Sequence, residues 1–445
     1  MRHIQGMKTK LSSFQIIVFG FLGMILCGTI LLMLPMASGA GVATPLPKAL
    51  FTATSAVCVT GLVLVDTASY WSLFGQSIIL LLIQIGGMGV ITVAAAIAML
   101  SGRKISLMQR STIQEAIAAP KVGGIVRLTG FVIKTSFCIE FLGAMCMAPS
   151  YVRVNGLRGI WMAVFHSVSA FCNAGFDIAG SENAPFSSLT AYGNDIVVNI
   201  VIMLLIVIGG IGFLTWDDIH MHGIHVQKYR MQSKVILVVT LVLILFPATY
   251  FFFCEFSDMP LKNRLLFSFF QAITPRTAGF NTADLTAISS IGQAILIFLM
   301  LIGGSPGSTA GGMKTTTVAV LFSNAVAVFK RKESPSFFGR SIECRTVKIA
   351  ATILVLYLTL FFMGGIFISG IEGLPLGACL FETASAVGTV GLTLGITPIL
   401  GVASQGILIV LMFLGRVGGL TLIYAAVSVS PKTISKLPHE KITVG

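Results

Sequence analysis

The chain has 445 residues, of which 55% are hydrophobic and only 10% charged, with 47 glycines. A charged fraction so far below the usual quarter excludes a soluble globular domain and predicts a polytopic membrane protein. The net charge of +13 invites a nucleic-acid reading that its distribution refutes: 19 of 29 Lys and Arg, but only 6 of 16 acids, fall before about residue 12, in 101–121, 217–234, 330–348 and after 430. By the positive-inside rule those segments, and with them both termini, are expected in the cytoplasm. The opposite segments hold five bases and eight acids, so the outer mouth is mildly acidic and concentrates cations.

In chain order, the first apolar run, Ile16 to Met36, is free of charge and long enough for the about 20 residues a spanning helix needs. It is too long for a signal h-region and is expected to be retained. A short segment at 47–59 and a second long one at 73–100 follow. A dozen residues are too few to cross, so the short piece enters and leaves by the outer face as a re-entrant pore helix. The same register then recurs, with a phenylalanine ten residues before a glycine: Phe51 to Gly61, Phe165 to Gly175, Phe269 to Gly279 and Phe381 to Gly391. Those glycines lie 114, 104 and 112 residues apart, a fourfold internal repeat. The runs Ile196 to Trp216, Val235 to Phe253 and Ile349 to Ser369 supply further spans. The predicted fold is all-α and membrane-embedded: four tandem units (1–110, 111–228, 229–340 and 341–445), each long helix, pore helix, long helix, set with pseudo-fourfold symmetry around a central ion pore.

Irregular backbone at membrane depth is tolerated only where protein or a water-filled path covers it. A glycine takes positive φ without a clash, which lets neighbouring carbonyls turn to a common axis and replace a cation's hydration shell. The expected selectivity filter is therefore Val59, Thr60, Gly61; Asn173, Ala174, Gly175; Thr277, Ala278, Gly279; and Thr389, Val390, Gly391. One such glycine would merely turn a loop; four in register argue for the filter.

The second long helices repeat too. Gly86-Gly87-Met88-Gly89, Gly209-Gly210-Ile211-Gly212, Gly303-Gly304-Ser305-Pro306 and Gly415-Arg416-Val417-Gly418 follow their filter glycines by 25, 34, 24 and 24 residues; Thr92, Thr215 and Thr421 close three of them. In units one and two, small-residue helix packing is the better reading. In unit three, Gly303, Gly304, Ser305, Pro306, Gly307, Ser308, Thr309, Ala310, Gly311 and Gly312 cannot continue a helix, and the rise per residue puts this loop under the filter, where a polar loop can obstruct the path and move. Unit four carries Arg416 where the others have glycine. A lone arginine in an apolar helix costs several kcal/mol and faces a cavity or a partner, here the path or the unit-three loop. Lys314 follows the loop and either reaches the inner surface or shares its role. The stretch from Gly307 to Thr315 misses a phosphate-binding loop by one residue and lacks its preceding strand.

Arg276 is expected to turn behind the filter, since a guanidinium on the axis would repel cations. Glu382 and His166 share a register and either bond filter backbone from behind or face outer water. His220, His222 and His225 lack a fixed ligand spacing for a metal. Lys134 and Glu140 are read as paired with neighbours off the ion path. The eight cysteines read as packing residues, with no disulfide framework or zinc spacing.

The third filter Thr274 to Thr282 (TPRTAGFNT), the GSPGSTAGGMK loop (Gly304 to Lys314) and the GRVGG pattern (Gly415 to Gly419), together with four single-glycine units, resemble the Trk/Ktr/HKT superfamily of potassium transporters. The length is most similar to its Ktr membrane subunit (KtrB-like). The resemblance implies K⁺ uptake across the cytoplasmic membrane, often with Na⁺ as activator and no cofactor held by the chain. It further implies a homodimer with one pore per subunit in the lipid bilayer, and a cytosolic ring of RCK-type regulatory subunits that bind adenine nucleotides. It makes Gly303 to Gly312 the gate and Arg416 the residue facing it, and an intact Gly61 favours K⁺. The alternatives are a Na⁺-permeable transporter of the same superfamily or a cation symporter. Rocking halves would instead predict inverted repeats, and an enzyme would need a nucleophile, base or metal constellation that the chain lacks.

Overall fold

The computed structural model describes residues 12–100, 107–117, 123–181 and 184–418. The predicted cytoplasmic termini, the C-terminal tail, Glu182, Gly419 and Thr421 lie outside them.

The protein is a polytopic bundle of α-helices, apolar on its outward faces as well as in its core. Helix α1 (Ser13–Met33) begins at a capping box, in which Ser12 and Gln15 satisfy each other's backbone N–H groups. It buries Ile17, Phe21, Ile25 and Leu32 on one face and presents Phe19, Leu26 and Ile30 outward. Its partner α2 (Leu46–Val57) has 12 residues, with Pro47 inside its first turn, where the missing N–H costs nothing. After the short α3 (Thr67–Tyr70), α4 (Leu73–Met88) and α5 (Val90–Leu100) follow, then α6 (Leu107–Ile117).

The pattern recurs down the chain. A long helix, α7 (Ile125–Asn155), precedes the short α8 (Arg158–Phe171), then α9 (Ile196–Gly210) and α10 (Phe213–His222). Next come α11 (Met231–Tyr250), extended by a π turn at Phe251–Glu255, the short α12 (Leu261–Ile273), α13 (Ser290–Leu301) and α14 (Thr315–Phe329). Last are α15 (Cys344–Glu372), the short α16 (Leu376–Gly388) and α17 (Val402–Val417). Among the described residues, four helices are long and apolar enough to cross a membrane, six if each bent pair counts as one span. Outward faces carry Phe141 at 64%, Phe246 at 78% and Phe322 at 72% exposure, which only lipid makes favourable. The strand pairing among the described residues is a hairpin of β1 (Ser336–Phe337) and β2 (Arg340–Ser341) between α14 and α15.

The structure corrects the expectation for the second helices. The apolar runs predict continuous spans in units one and two, yet α4 and α5 meet at 94° and α9 and α10 at 98°, so Ile196 to Trp216 is two helices. The reason is local: Gly89 has φ 86°, ψ 129° and Gly212 φ 91°, ψ 146°, a conformation that ends a helix and that only glycine enters cheaply. Packing also operates, one turn earlier. A side chain on Gly86, Gly209 or Gly415 would strike the Val57, Phe171 or Val387 carbonyl at the end of that unit's short helix. The same two jobs, close approach and then a break, thus fall to neighbouring glycines in one motif. The cysteines also differ from expectation: all eight are unbridged, but only Cys58, Cys172 and Cys379 are buried, while the other five are exposed.

Candidate ion path

The short helices α2, α8, α12 and α16 contain 12 to 14 residues, about 20 Å at 1.5 Å per residue and too short to span about 30 Å. Each is followed within six residues by a pair of positive-φ positions. Val59, Asn173, Thr277 and Thr389 have φ of 57°, 57°, 70° and 52°, and Gly61, Gly175, Gly279 and Gly391 have 88°, 66°, 79° and 96°. Three of the four first positions hold β-branched residues, for which this conformation is strained and must be imposed by the surroundings.

The glycines form a closed ring. A Cβ built on Gly61 would lie 3.1 Å from the Gly175 Cα, one on Gly175 3.0 Å from Gly279, one on Gly279 3.1 Å from Gly391, and one on Gly391 3.0 Å from Gly61. Each would also overlap the carbonyl oxygen of the residue before the neighbouring glycine: Ala174, Ala278, Val390 and Thr60 in turn. Eight of the twelve residues of the predicted filter, each glycine and the residue before it, therefore come together, and Val59, Asn173, Thr277 and Thr389 adjoin them in the chain. Any side chain at a ring glycine meets backbone, which cannot yield.

One set of residues that holds the ring escaped the sequence reading. Ser55 Oγ accepts from the Gly61 N–H and Ser385 Oγ from the Gly391 N–H, both at 3.0 Å. Ser169 Oγ donates to the Phe176 carbonyl at 2.7 Å and Thr274 Oγ1 to the Phe280 carbonyl at 2.6 Å. A serine six residues before the glycine in three units was the available signal. His166 Nε2 accepts from the Ile178 N–H at 3.2 Å and its ring stacks on Tyr151; Glu382 accepts from Thr393 and, at 2.9 Å, from Thr397. Both are buried and bond the segment beyond the glycine, His166 through a backbone N–H and Glu382 through two threonine hydroxyls; neither of these bonds reaches the twelve filter residues, and neither side chain faces outer water. Arg276 is buried and its Nη2 reaches Thr240 on α11 at 3.4 Å, away from the ring.

Outside the ring lies a cavity of about 190 Å³ lined by the four glycines and by Asp66, Asp177 and Asp284, with no lysine or arginine. Asp66 caps α3 and accepts from the Phe186 N–H at 3.0 Å. Burial, and then the Asp66 charge, push the Asp177 carboxyl up to about 7.

Beneath the ring, residues 303–312 form a loop pinched at its base: the Gly303 N–H donates to Met313 O at 2.8 Å and the Thr315 N–H to Gly304 O at 3.0 Å. The loop seats on its neighbours. Ser305 and Thr309 donate backbone N–H groups to Gly210 and Gly209 of the unit-two break, at 2.9 and 3.3 Å, and the Phe213 N–H donates to Gly307 O at 2.7 Å. Gly312 donates to Gly415 O at 3.2 Å, and Gly311 has Thr389 where a side chain would be. Arg416, half-buried, donates to the Thr309 carbonyl in the loop and to the Gly86 and Gly87 carbonyls in unit one. It therefore ties three units together. Lys314 folds back on the loop, donating to Ala310 O at 2.8 Å. Below is a second cavity of about 400 Å³, lined by the loop, Gly89, Glu115 and Arg416.

Other singled-out residues stand apart from the path. Glu140 accepts from Gln84 Nε2 at 2.9 and 3.1 Å, whereas Lys134 is exposed on the outer face of α7. His220 and His222 pack on Phe131 and Tyr229 respectively, and no group of three or more potential metal ligands occurs among the described residues.

A profile of the TrkH family, described as cation transport protein, matches residues 7–436. The potassium/sodium uptake protein NtpJ of Enterococcus hirae is 37% identical over 98% of both chains. The Ktr system potassium uptake protein B of Bacillus subtilis is 36% identical over 97% of this chain and 96% of that one. The potassium transporter TrkH of Vibrio parahaemolyticus shares the fold, with a TM-score of 0.75 and 19% identity over 96% of this chain and 87% of that one. The chain is thus a multi-pass membrane protein belonging to the TrkH family of cation transport proteins, which are transporters and not enzymes.

Proposed function

We propose that the chain carries K⁺ inward across the cytoplasmic membrane through the four-glycine ring, which acts as the selectivity filter. The observation that carries this reading is the closure of the ring: four backbone segments at one level, each glycine backed by its neighbour's carbonyl, are what replacing a cation's water with carbonyl oxygen requires. The C-terminal ends of four short helices converge there, and their dipoles favour positive charge. The acidic outer cavity raises cation concentration at the entrance. Residues 303–312 are the gate, with Arg416 as its latch.

The rest of the reading follows the resemblance. The chain works as a homodimer, with both termini in the cytoplasm, and Na⁺ stimulates it. A ring of cytosolic RCK-type subunits that bind adenine nucleotides controls the gate; the similarity to the Ktr system potassium uptake protein B of Bacillus subtilis supports a separate regulatory subunit. The test is K⁺ and Na⁺ uptake into liposomes under an inside-negative potential. K⁺ preference in the wild type that is lost in Gly279→Ser is the expected result; an unchanged preference in that variant would overturn the reading. A second reading, substantial Na⁺ permeation, is favoured by the name potassium/sodium uptake protein of the Enterococcus relative. A reversal potential under bi-ionic K⁺/Na⁺ conditions separates the two.

A further inference from the structure

Of the four residues that precede the ring glycines by two positions, Asn173 alone is hydrogen-bonded to the unit-three loop. Its side chain is buried at 1% exposure, and its amide is used from both ends. Nδ2 donates to the Arg276 carbonyl at 3.4 Å and to Thr277 Oγ1 at 3.3 Å, both on the ring segment of unit three. Oδ1 accepts from Thr309 Oγ1 in the loop at 3.2 Å. The same hydroxyl donates to the Phe171 carbonyl at 3.0 Å, where α8 ends, so its one proton is shared between the two acceptors. The site has no slack: a side chain on Gly209 would stand 2.8 Å from Asn173 Oδ1 and 2.9 Å from Thr309 Oγ1. By contrast Thr389, at the equivalent place in unit four, is buried beside Gly311 with its hydroxyl unpartnered.

We propose that Asn173 couples the position of the unit-three loop to the inner rim of the ring, so that cation preference depends on whether the loop is seated. The inference rests on the filter and gate reading above. When the loop leaves, Thr309 goes with it and Oδ1 loses the donor that fixes the direction of the amide. Water that follows into the vacated space bonds the oxygen from other directions, so the amide turns. Turning withdraws Nδ2 from Arg276 and Thr277, two residues whose bonds hold one side of the rim. Asn173 and Thr277 both sit at positive φ, a conformation kept only while the surroundings enforce it. The rim of units two and three therefore relaxes as the loop opens. Coupling of this kind is reciprocal: an ion that prefers the relaxed rim favours the open loop. Asn173 acts as a positioning residue here, through rim geometry.

The experiment compares K⁺ and Na⁺ uptake by the full-length protein in liposomes for wild type, Thr309→Val, Thr309→Ser, Asn173→Ala and the Asn173→Ala/Thr309→Val pair, with Gly279→Ser as a control. Thr309→Val removes the hydroxyl and keeps the shape. The expected result is a K⁺/Na⁺ uptake ratio lowered about fivefold, the worth of one hydrogen bond, with Thr309→Ser restoring it. In the Asn173→Ala background the valine should have almost no further effect on the ratio, because the partner is already gone. A Thr309→Val protein that transports faster with the wild-type ratio, or two single effects that simply multiply, would overturn the coupling. Loss of preference in Gly279→Ser with no change in Thr309→Val refutes the coupling alone, whereas retained preference in Gly279→Ser removes the filter reading beneath it. Preference is also read at equilibrium, from the K⁺ and Na⁺ concentrations that half-protect purified protein against thermal unfolding. That readout needs no open path, and an unshifted ratio in Thr309→Val there would equally refute the proposal.

Discussion

Replacing Arg416 by glutamine should open the path. In the seated loop its guanidinium donates to the Thr309 carbonyl while holding Gly86 and Gly87 of unit one. Leaving the seat breaks the first of these bonds and spares the other two. A charge-assisted hydrogen bond is worth about 1.5–3 kcal/mol, so its loss should shift the seated-to-open ratio by between about tenfold and about 150-fold. Removing a positive charge from the inner cavity acts in the same direction, because it lowers the barrier to a cation. The assay is initial K⁺ uptake into liposomes without any cytosolic subunit, normalised to protein and paired with a thermal unfolding midpoint. The expected result is at least tenfold faster uptake, levelling off once the loop is mostly open. Arg416→Lys should fall between, since an ammonium cannot span Thr309 and Gly86 with a planar fork. An Arg416→Gln protein that is well folded and transports at the wild-type rate would refute the claim that this side chain holds the loop.

Three further outcomes follow from the same geometry. Ser55→Ala and Ser385→Ala each leave a buried ring N–H without its acceptor, so each should destabilise the protein by about 1–3 kcal/mol, read as a lowered unfolding midpoint together with a lowered K⁺/Na⁺ ratio. Asp177 is held up to about 7 by burial and by the Asp66 charge, so it ionises as external pH rises through neutrality. The outer cavity then gains negative charge beside Asp66 and Asp284, and uptake at low K⁺ should rise between about pH 6 and 8; Asp177→Asn should flatten that rise. The linked stability has the opposite sign, since the raised folded value favours the protein at low pH and that contribution is lost as pH passes about 7. Gly212→Ala, at φ 91° and with a Cβ 2.7 Å from the Pro306 carbonyl, should unseat the loop and raise uptake several-fold; unchanged uptake would show that the unit-two break does not hold it.

What could be read in the sequence was whatever the backbone alone dictates. Each ring glycine needs positive φ and has no room for a Cβ, so its identity and register survive in every unit. Arg416 was legible for a similar reason, because a charge inside an apolar helix must have a partner, and the nearby polar loop was the obvious one. The bends at Gly89 and Gly212 were not legible. A glycine motif within an apolar run is equally suited to close packing and to a break, and Gly86 and Gly89 turn out to do one each. Asn173 gave no signal either: its partners Thr277 and Thr309 lie 104 and 136 residues away, and their meeting depends on how units two and three close the ring. The serine three residues N-terminal to Cys58 and Cys172 could have been found by asking which hydroxyl would satisfy an N–H at the turn.

Anomalous scattering from crystals grown with Rb⁺ or Tl⁺ in place of K⁺ shows directly whether a cation sits in the glycine ring. A peak is expected on the ring axis within coordinating distance of the Thr60, Ala174, Ala278 and Val390 carbonyls, lost in Gly279→Ser; a ring without a peak, with ordered ions elsewhere in the protein, would mean that the ring is not a cation site.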